Sequence, residues 1–341
     1  MPHQYKRHPI EKVLRDSIKF SKARKIIVAL SGGADSVALL TALSALRRPD
    51  GNNLEIFAAH CNFHLRGDES MRDQRFVTLL CSHLNIPLII QDFDVEAYRR
   101  RHPGTSVEMA CRDLRYDWFR SLKAELKADR IATGHNADDN IETLFLNLLR
   151  GSGTTGLRGM LPDNGTNLRP LLSIHRSEIE SYLSESCHSD SSVAADSPHS
   201  GRFIVDSTNL SSDYRRNFLR NEVLPMLRER WPGMNKSLDR SLRLLKAEND
   251  IIEKAVADAL PENGQPLPAK AALAFPAPEL LVRRFVLPLR PLTTTPEEIV
   301  GAMRANKPDI RRWRLPGGTA LLRGGKLYLS FEPTSPENTS N

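Results

Sequence analysis

The chain has 341 residues, enough to bury two cores, and its 40% hydrophobic and 26% charged residues are those of an ordinary globular protein. No apolar run approaches the roughly 18 residues of a membrane span, and the start MPHQYKRHPIEKVLRDSIKF lacks a signal peptide's apolar core, so a cytoplasmic protein with no membrane partner is expected. The net charge of +7 suits a polyanionic partner, and four isolated cysteines (Cys61, Cys81, Cys111, Cys187) with no CxxC pair disfavour a zinc ribbon, an iron–sulfur site or a disulfide framework.

In chain order, KIIVALS (25–31) predicts a strand, and a helix is expected over 36–47. Between them lies SGGADS (31–36). Gly32 and Gly33 permit positive φ, Ser31 and Ser36 add hydroxyls, and the helix start faces the same space. Such a turn favours an anion, most simply a nucleotide's phosphates. Asp35 would repel phosphate unless Mg²⁺ lies between them. The turn is neither GxxxxGK[ST] nor GxGxxG. LEIFAAH (54–60) is the next strand, followed by HCNFHLRGDES with His60, His64, Arg66 and Asp68, which fits a polar substrate loop better than a zinc site.

A helix over 69–84 and the strand IPLIIQDF (86–93) follow. The helix at 106–127 is expected to turn Val107, Cys111, Leu114 and Trp118 to the core, with Arg112 and Arg115 on an adjacent face and Glu108 pairing with Arg112. After the strand RIATGH (130–135), GHNADDNIETLFLNLLRG reads as a helix capped by Asn136, with Asp139 at the third position and Gly151 as the stop. Its expected buried stripe is Ile141, Leu144, Phe145, Leu148 and Leu149. Asp138, Asp139 and Glu142 exceed what helix capping needs, and suit Mg²⁺ or an amine.

Alternating strands and helices imply an α/β fold, a parallel sheet flanked by helices, with ligands at the carboxyl ends of its strands. Residues 184–200 are serine-rich and read as a surface loop. DSTNLSSDYRRNFLRNEVLP (206–225) places Asp206, Asn209, Arg215, Arg216 and Arg220 at a domain junction, where arginines can grip phosphates. An arginine-rich helical region, a proline-rich stretch (261–291), a helix near 296–305 and two strands around a Gly-Gly turn complete the ordered chain. The expected organisation is a catalytic domain over 1–213, a smaller mainly helical domain over 214–331 and a disordered tail over 332–341.

SGGADS resembles the PP-loop of the N-type ATP pyrophosphatases, which cleave ATP between the α- and β-phosphates. With HCNFHLRG, EMACRDLRYDWF, ATGHNADDNIETLFLNLLRGSGTTGLRGM, RPLL and DSTNLSSDYRRNFLRNEVLP, the chain resembles the tRNA(Ile)-lysidine synthetase family over 25–227. The resemblance implies that Ser31, Gly32, Gly33, Ala34, Asp35 and Ser36 hold ATP, with Asp35 and Asp139 on Mg²⁺. It implies that Asp139 and Glu142 serve metal and lysine, that Arg112 or Arg115 lies near the reacting groups, and that Arg216 belongs to the active site.

The implied reaction is ligation of free L-lysine to C2 of the wobble cytidine in an isoleucine tRNA with a CAU anticodon. ATP adenylates the base, AMP and pyrophosphate are released, and the product, lysidine, shifts decoding from AUG to AUA. The helical region would hold the tRNA, and the chain resembles the family's shorter form. A homodimer is compatible with the sequence. The rival expectations are a 2-thiolation enzyme of the same loop class and a non-catalytic, nucleotide-regulated RNA-binding protein.

Overall fold

The computed structural model describes residues 8–47, 54–186, 203–204, 215–292, 294–305 and 310–331. Cys187, Asp206, Asn209, most of the serine-rich segment and the tail from 332 lie outside the described residues. The chain divides into two units, Met1–Leu244 and Leu245–Asn341. The division falls after the 213/214 junction expected from composition, because helices beyond Arg215 are tied to the first unit by ion pairs described below.

The first unit is built on a five-stranded parallel sheet in the order β3-β2-β1-β4-β5. Its strands are β1 (Lys25–Ala29), β2 (Glu55–Asn62), β3 (Leu88–Asp92), β4 (Arg130–Ala132) and β5 (Asn167–Leu168). The pleat sends alternate residues of β1 to opposite faces. Ile26 and Val28 enter a core with Ile10, Leu14, Leu39, Leu43 and Tyr182, from α1 (Pro9–Ser21), α2 (Ala34–Leu46) and α8 (Arg176–Ser186). Ile27 enters the opposite core with Ala59, Ile131, Phe119 and Leu122, the last two from α5 (Val107–Glu125). Helix α2 is apolar nearly all round because it is covered nearly all round.

The remaining helices of this unit are α3 (Asp68–His83), α4 (Val95–Arg101), α6 (Ala137–Leu149), α7 (Thr154–Leu157), α9 (Arg215–Phe218) and α10 (Leu224–Arg230). A π-helical turn, Leu219–Val223, joins the last two. Strand order changes direction at β1, whose neighbours β2 and β4 lead to opposite edges. Parallel sheets bind ligands outside the carboxyl ends of strands at such a point. The SGGADS turn follows β1 and the GHNADD segment follows β4, so both open onto it.

Several expectations shift. Helix α2 begins at Ala34, not Ser36. In α5 the buried residues are Ala110, Phe119 and Leu122, while Val107 is exposed and Cys111, Leu114 and Trp118 are half-buried. In α6, Ile141 and Leu144 are buried but Leu148 and Leu149 are 56% and 74% exposed. The buried face turns instead through Ala137, Ile141, Glu142 and Leu144 and includes a carboxylate. Helix α8 runs into the first residues assigned to the serine-rich loop.

The second unit has its own core, from Val256 on α11 (Met234–Ala259), Ala272 on α12 (Ala269–Ala274), Val282 and Val286 on α13 (Pro278–Val286), Ile299 and Val300 on α14 (Thr295–Arg304), and Leu315, Ala320 and Leu327 from a sheet. That sheet is antiparallel, ordered β6-β9-β8-β7, with β6 (Leu267–Pro268), β7 (Arg311–Leu315), β8 (Gly318–Arg323) and β9 (Lys326–Phe331). The proline-rich stretch holds α12 and α13 because Pro278 occupies a helix first turn, where no N–H is needed. The closing region has three strands, not two: β7 is an edge strand whose arginines point to solvent, a pattern that protects a sheet edge. No helix among the described residues is long and apolar enough to cross a membrane.

Candidate active site

The loop after β1 is drawn together by one hydroxyl. Ser36 Oγ accepts from the N–H groups of Ser31 and Gly32 at 3.2 Å each and donates to the Gly33 carbonyl at 2.9 Å. Gly32 has φ +93°, and a Cβ there would meet Ile204 Cδ1 at 2.6 Å. Gly33 caps α2 without a side chain, so the first-turn N–H groups of the helix remain available to an anion.

The two loops touch at a second glycine. A Cβ on Gly134 would lie 3.0 Å from both the carbonyl carbon of Asp35 and the nitrogen of Ser36. Both are backbone atoms and cannot rotate away. Gly134→Ala is therefore expected to force the loops apart, lowering stability by about 1–3 kcal/mol and weakening nucleotide binding. Thermal denaturation with and without ATP checks both effects.

Asn136 joins the loop to α6. Its Oδ1 accepts from the Asp139 N–H at 2.9 Å, and Asp139 Oδ2 accepts from the Asn136 N–H at 3.1 Å, a reciprocal capping box. Its Nδ2 donates to Asp35 Oδ1 at 2.9 Å. Burial pushes the Asp35 carboxyl above the ordinary carboxylate range, against the pull of Arg176 and the Asn136 amide.

The three acids of α6 point two ways. Asp138 accepts from the Arg176 N–H at 2.8 Å, from Arg228, and lies 3.3 Å from His175 Nδ1. Arg228 on α10 and Asp239, which lies 3.1 Å from His175 Nε2, fasten this cluster to the helices that follow. Asp139 and Glu142 face the π-turn. Arg220 donates to Glu142 Oε1 at 2.6 Å and Oε2 at 2.9 Å, and to Asp139 Oδ1 at 2.8 Å. Arg216 donates to Glu142 Oε2 at 2.7 Å and Asp139 Oδ1 at 3.0 Å. Glu142 is only 1% exposed. A cavity of about 330 Å³ adjoins this pair, lined among others by Asn136, Asp138, His175, Arg176 and Arg220.

Arg112 and Arg115 diverge. The Arg115 guanidinium lies 5.4 Å from the Phe63 ring centroid, close to Cys61, whereas Arg112 lies over Tyr116 at 4.9 Å instead of pairing with Glu108. Arg112, Arg169 and Arg216 all act electrostatically on His135, next to Gly134. Burial, reinforced by these cations against the opposing charge of Asp139, pushes His135 down to about 4, so the imidazole is neutral at physiological pH. Arg169, from RPLL, is a site residue that the spacing arguments passed over.

Of the residues expected in a polar substrate loop, His60 lies within β2, and His64, Arg66 and Asp68 follow it. His60 is buried and its Nδ1 lies 2.8 Å from the Leu30 carbonyl; His64 lies 2.7 Å from Asp92; Arg66 donates to Asp73 at 2.7 Å. These contacts fix the loop and do not bring its side chains to the acids.

For Mg²⁺, the geometry separates the two expected ligands. Asp35 offers one carboxylate beside an anion-binding turn, which suits a cation shared with phosphates. Both oxygens of Asp139 already accept hydrogen bonds. No group of three or more His, Cys, Asp or Glu among the described residues could hold a metal.

A nucleotide-binding α/β unit with a glycine-rich loop at the strand-order switch is what the fold and site define. The PP-loop domain family matches residues 4–227, and the chain belongs to it. The chain is 43% identical over 267 residues to a tRNA(Ile)-lysidine synthase of Bacteroides thetaiotaomicron, covering 78% of this chain and 58% of that protein. It is 39% identical over 280 residues to a tRNA(Ile)-lysidine synthase of Parabacteroides distasonis, covering 81% and 59%. The chain thus spans less than three fifths of the length of these two relatives. Among solved structures, the U34-tRNA thiolase NcsA from Methanococcus maripaludis superposes with a TM-score of 0.52 at 19% identity, covering 70% of this chain and 78% of that one, a likeness of fold.

Proposed function

We propose that this chain ligates lysine to C2 of the wobble cytidine of an isoleucine tRNA bearing a CAU anticodon, with ATP as the activating substrate and lysidine as the product. The observation that carries the reading is Asn136, which hydrogen-bonds Asp35 of the nucleotide loop and caps the helix bearing Asp139 and Glu142. The phosphate-binding loop and the acids suited to a cationic amine are thereby one hydrogen-bonded unit. The names of the relatives support the same reading.

The chemistry follows from the groups present. Oxygen at C2 of cytosine is a poor leaving group. The base oxygen attacks the α-phosphorus, a phosphorus–oxygen bond forms, and the α–β bridge breaks to release pyrophosphate. The available N–H groups in the first turn of α2 stabilise the phosphate charge. Mg²⁺ bound by Asp35 and the nucleotide phosphates would supply further neutralisation of that charge. The lysine ε-amine then attacks C2, the carbon–nitrogen bond forms, and the C2–oxygen bond breaks with AMP as leaving group.

That amine must be neutral when it attacks, so a carboxylate has to take its proton, and Glu142 is the buried candidate. Neutral His135 is an unsuitable proton donor to the leaving group. Asp139 orients α6 through its capping box and shares the ammonium with Glu142. Arg176 and the cavity beside it suit the amino acid's α-carboxylate. In the second unit, exposed Arg311, Arg312 and Arg314 on β7 suit tRNA phosphates, so affinity falls as salt rises.

The 2-thiolation alternative needs reactive sulfur. Burial pushes the Cys61 thiol up to about 12 and the Cys81 thiol up to about 11, so neither is a ready thiolate. The deciding experiment for the activation step incubates the protein with ATP, Mg²⁺ and the CAU isoleucine tRNA. AMP with pyrophosphate, formed only with tRNA, is the expected result. ADP with phosphate would contradict the reading, and no turnover with any tRNA would favour a binding protein.

A further inference from the structure

Asp139 and Glu142 suit a cationic amine, yet both are already neutralised. Arg220 and Arg216 between them engage both Glu142 oxygens and Asp139 Oδ1, while Asp139 Oδ2 is held by the Asn136 N–H. Two carboxylates thus face two guanidiniums. An ammonium entering this arrangement would meet both cations at close range and find no free carboxylate oxygen.

The two arginines are not equivalent. Arg220 makes the two-pronged contact to Glu142 and is the less exposed, its side chain 26% accessible against 41% for Arg216. It also lies within electrostatic reach of Asp35, on the nucleotide loop. Its backbone belongs to the π-turn Leu219–Val223, a distortion often found where a helix serves a functional site. A guanidinium matches phosphate as well as it matches carboxylate.

We propose that Arg220 is a positioning residue that exchanges counter-ions between the two substrates. Nucleotide phosphates at the SGGADS loop draw its guanidinium from Glu142 and Asp139, and Glu142 Oε1, which Arg216 does not engage, is freed to receive the lysine ammonium. The inference rests on the lysidine reading given above and adds an order to it: nucleotide first, amine second. Each substrate then tightens the other by the same factor, as linkage requires. The exchange also keeps the amine site closed to free lysine until ATP is present.

The test is isothermal titration of L-lysine into the whole chain, with and without α,β-methylene ATP and Mg²⁺, in the absence of tRNA. The wild type is expected to bind lysine at least about tenfold more tightly with the analogue present. In Arg220→Gln the difference should shrink to less than about twofold, with lysine binding without nucleotide tighter than in the wild type. Arg220→Lys, which retains a charge but not the two-pronged contact, should fall between them. This ranking separates the role proposed here from a purely structural one, which would lower analogue binding and melting temperature alike.

Equal lysine affinity with and without the analogue in the wild type overturns the proposal. So does undiminished coupling in Arg220→Gln or, should that variant fail to bind the analogue, in Arg220→Lys. If the wild type binds the analogue but never lysine, the lysidine reading itself fails and the proposal falls with it.

Discussion

Asp35→Asn is expected to reduce tRNA-dependent AMP formation by about 10³-fold while raising the protein's melting temperature at neutral pH. Both effects come from one carboxylate. The asparagine cannot hold Mg²⁺ against phosphate, but its side-chain oxygen can still accept the hydrogen bond from Asn136 Nδ2. Burial raises the Asp35 pKa, so folding favours its neutral form. That contribution is fully present below the ordinary carboxylate range and is lost as pH rises through the raised value. Above the ordinary carboxylate range the wild type therefore bears the cost of burying an ionisable group, a cost the variant lacks. The gap in melting temperature should close as pH falls, and scans across pH read it directly. A variant less stable than the wild type at neutral pH would show that the charge is a structural ion-pair partner instead.

Glu142→Gln is the second large effect. The amide matches the carboxylate in size, but it neither accepts a proton from the amine nor balances Arg216 and Arg220. Lysine transfer should fall by about 10²–10⁴-fold, the range for loss of a proton acceptor. Stability should fall by about 1–3 kcal/mol, because the two half-buried guanidiniums lose their charged partner. Single-turnover measurements separate the steps: AMP release in the absence of lysine reports activation, and lysine incorporation reports attack. Transfer at the wild-type rate would remove Glu142 from the role of proton acceptor.

Local signals foretold the parts of this site that local physics determines. Asn136 followed three residues later by Asp139 is a capping pattern, and the structure contains the reciprocal pair. The strand–glycine–helix context of SGGADS likewise gave the loop and its place at a strand end. The burial of Glu142 was not readable, because an apolar stripe extrapolated at 3.6 residues per turn ran to Leu148 and Leu149, where α6 leaves the core. Which of Asp138 and Asp139 would face a metal is likewise not set by the sequence: neighbouring residues on a helix diverge by about 100°, and only Arg228 and Arg220 from a distant segment show which way each points. The two-residue strand β5 carries too short a pattern to detect, and β7 reads as a charged run because an edge strand can keep its arginines in solvent. Arg220 could be listed from sequence among several arginines. Its bond to Glu142, 78 positions away, could not.

The measurement that bears most directly on the whole account is transfer of radiolabelled lysine to an isoleucine tRNA transcript with a CAU anticodon, in the presence of ATP and Mg²⁺. The account predicts alkali-stable label on the tRNA, AMP formed in step with it, and loss of both in Asp35→Asn. Label released by alkali would be an aminoacyl ester, and AMP formation with no lysine transfer would assign the activated base to another nucleophile. Either result would contradict lysidine synthesis.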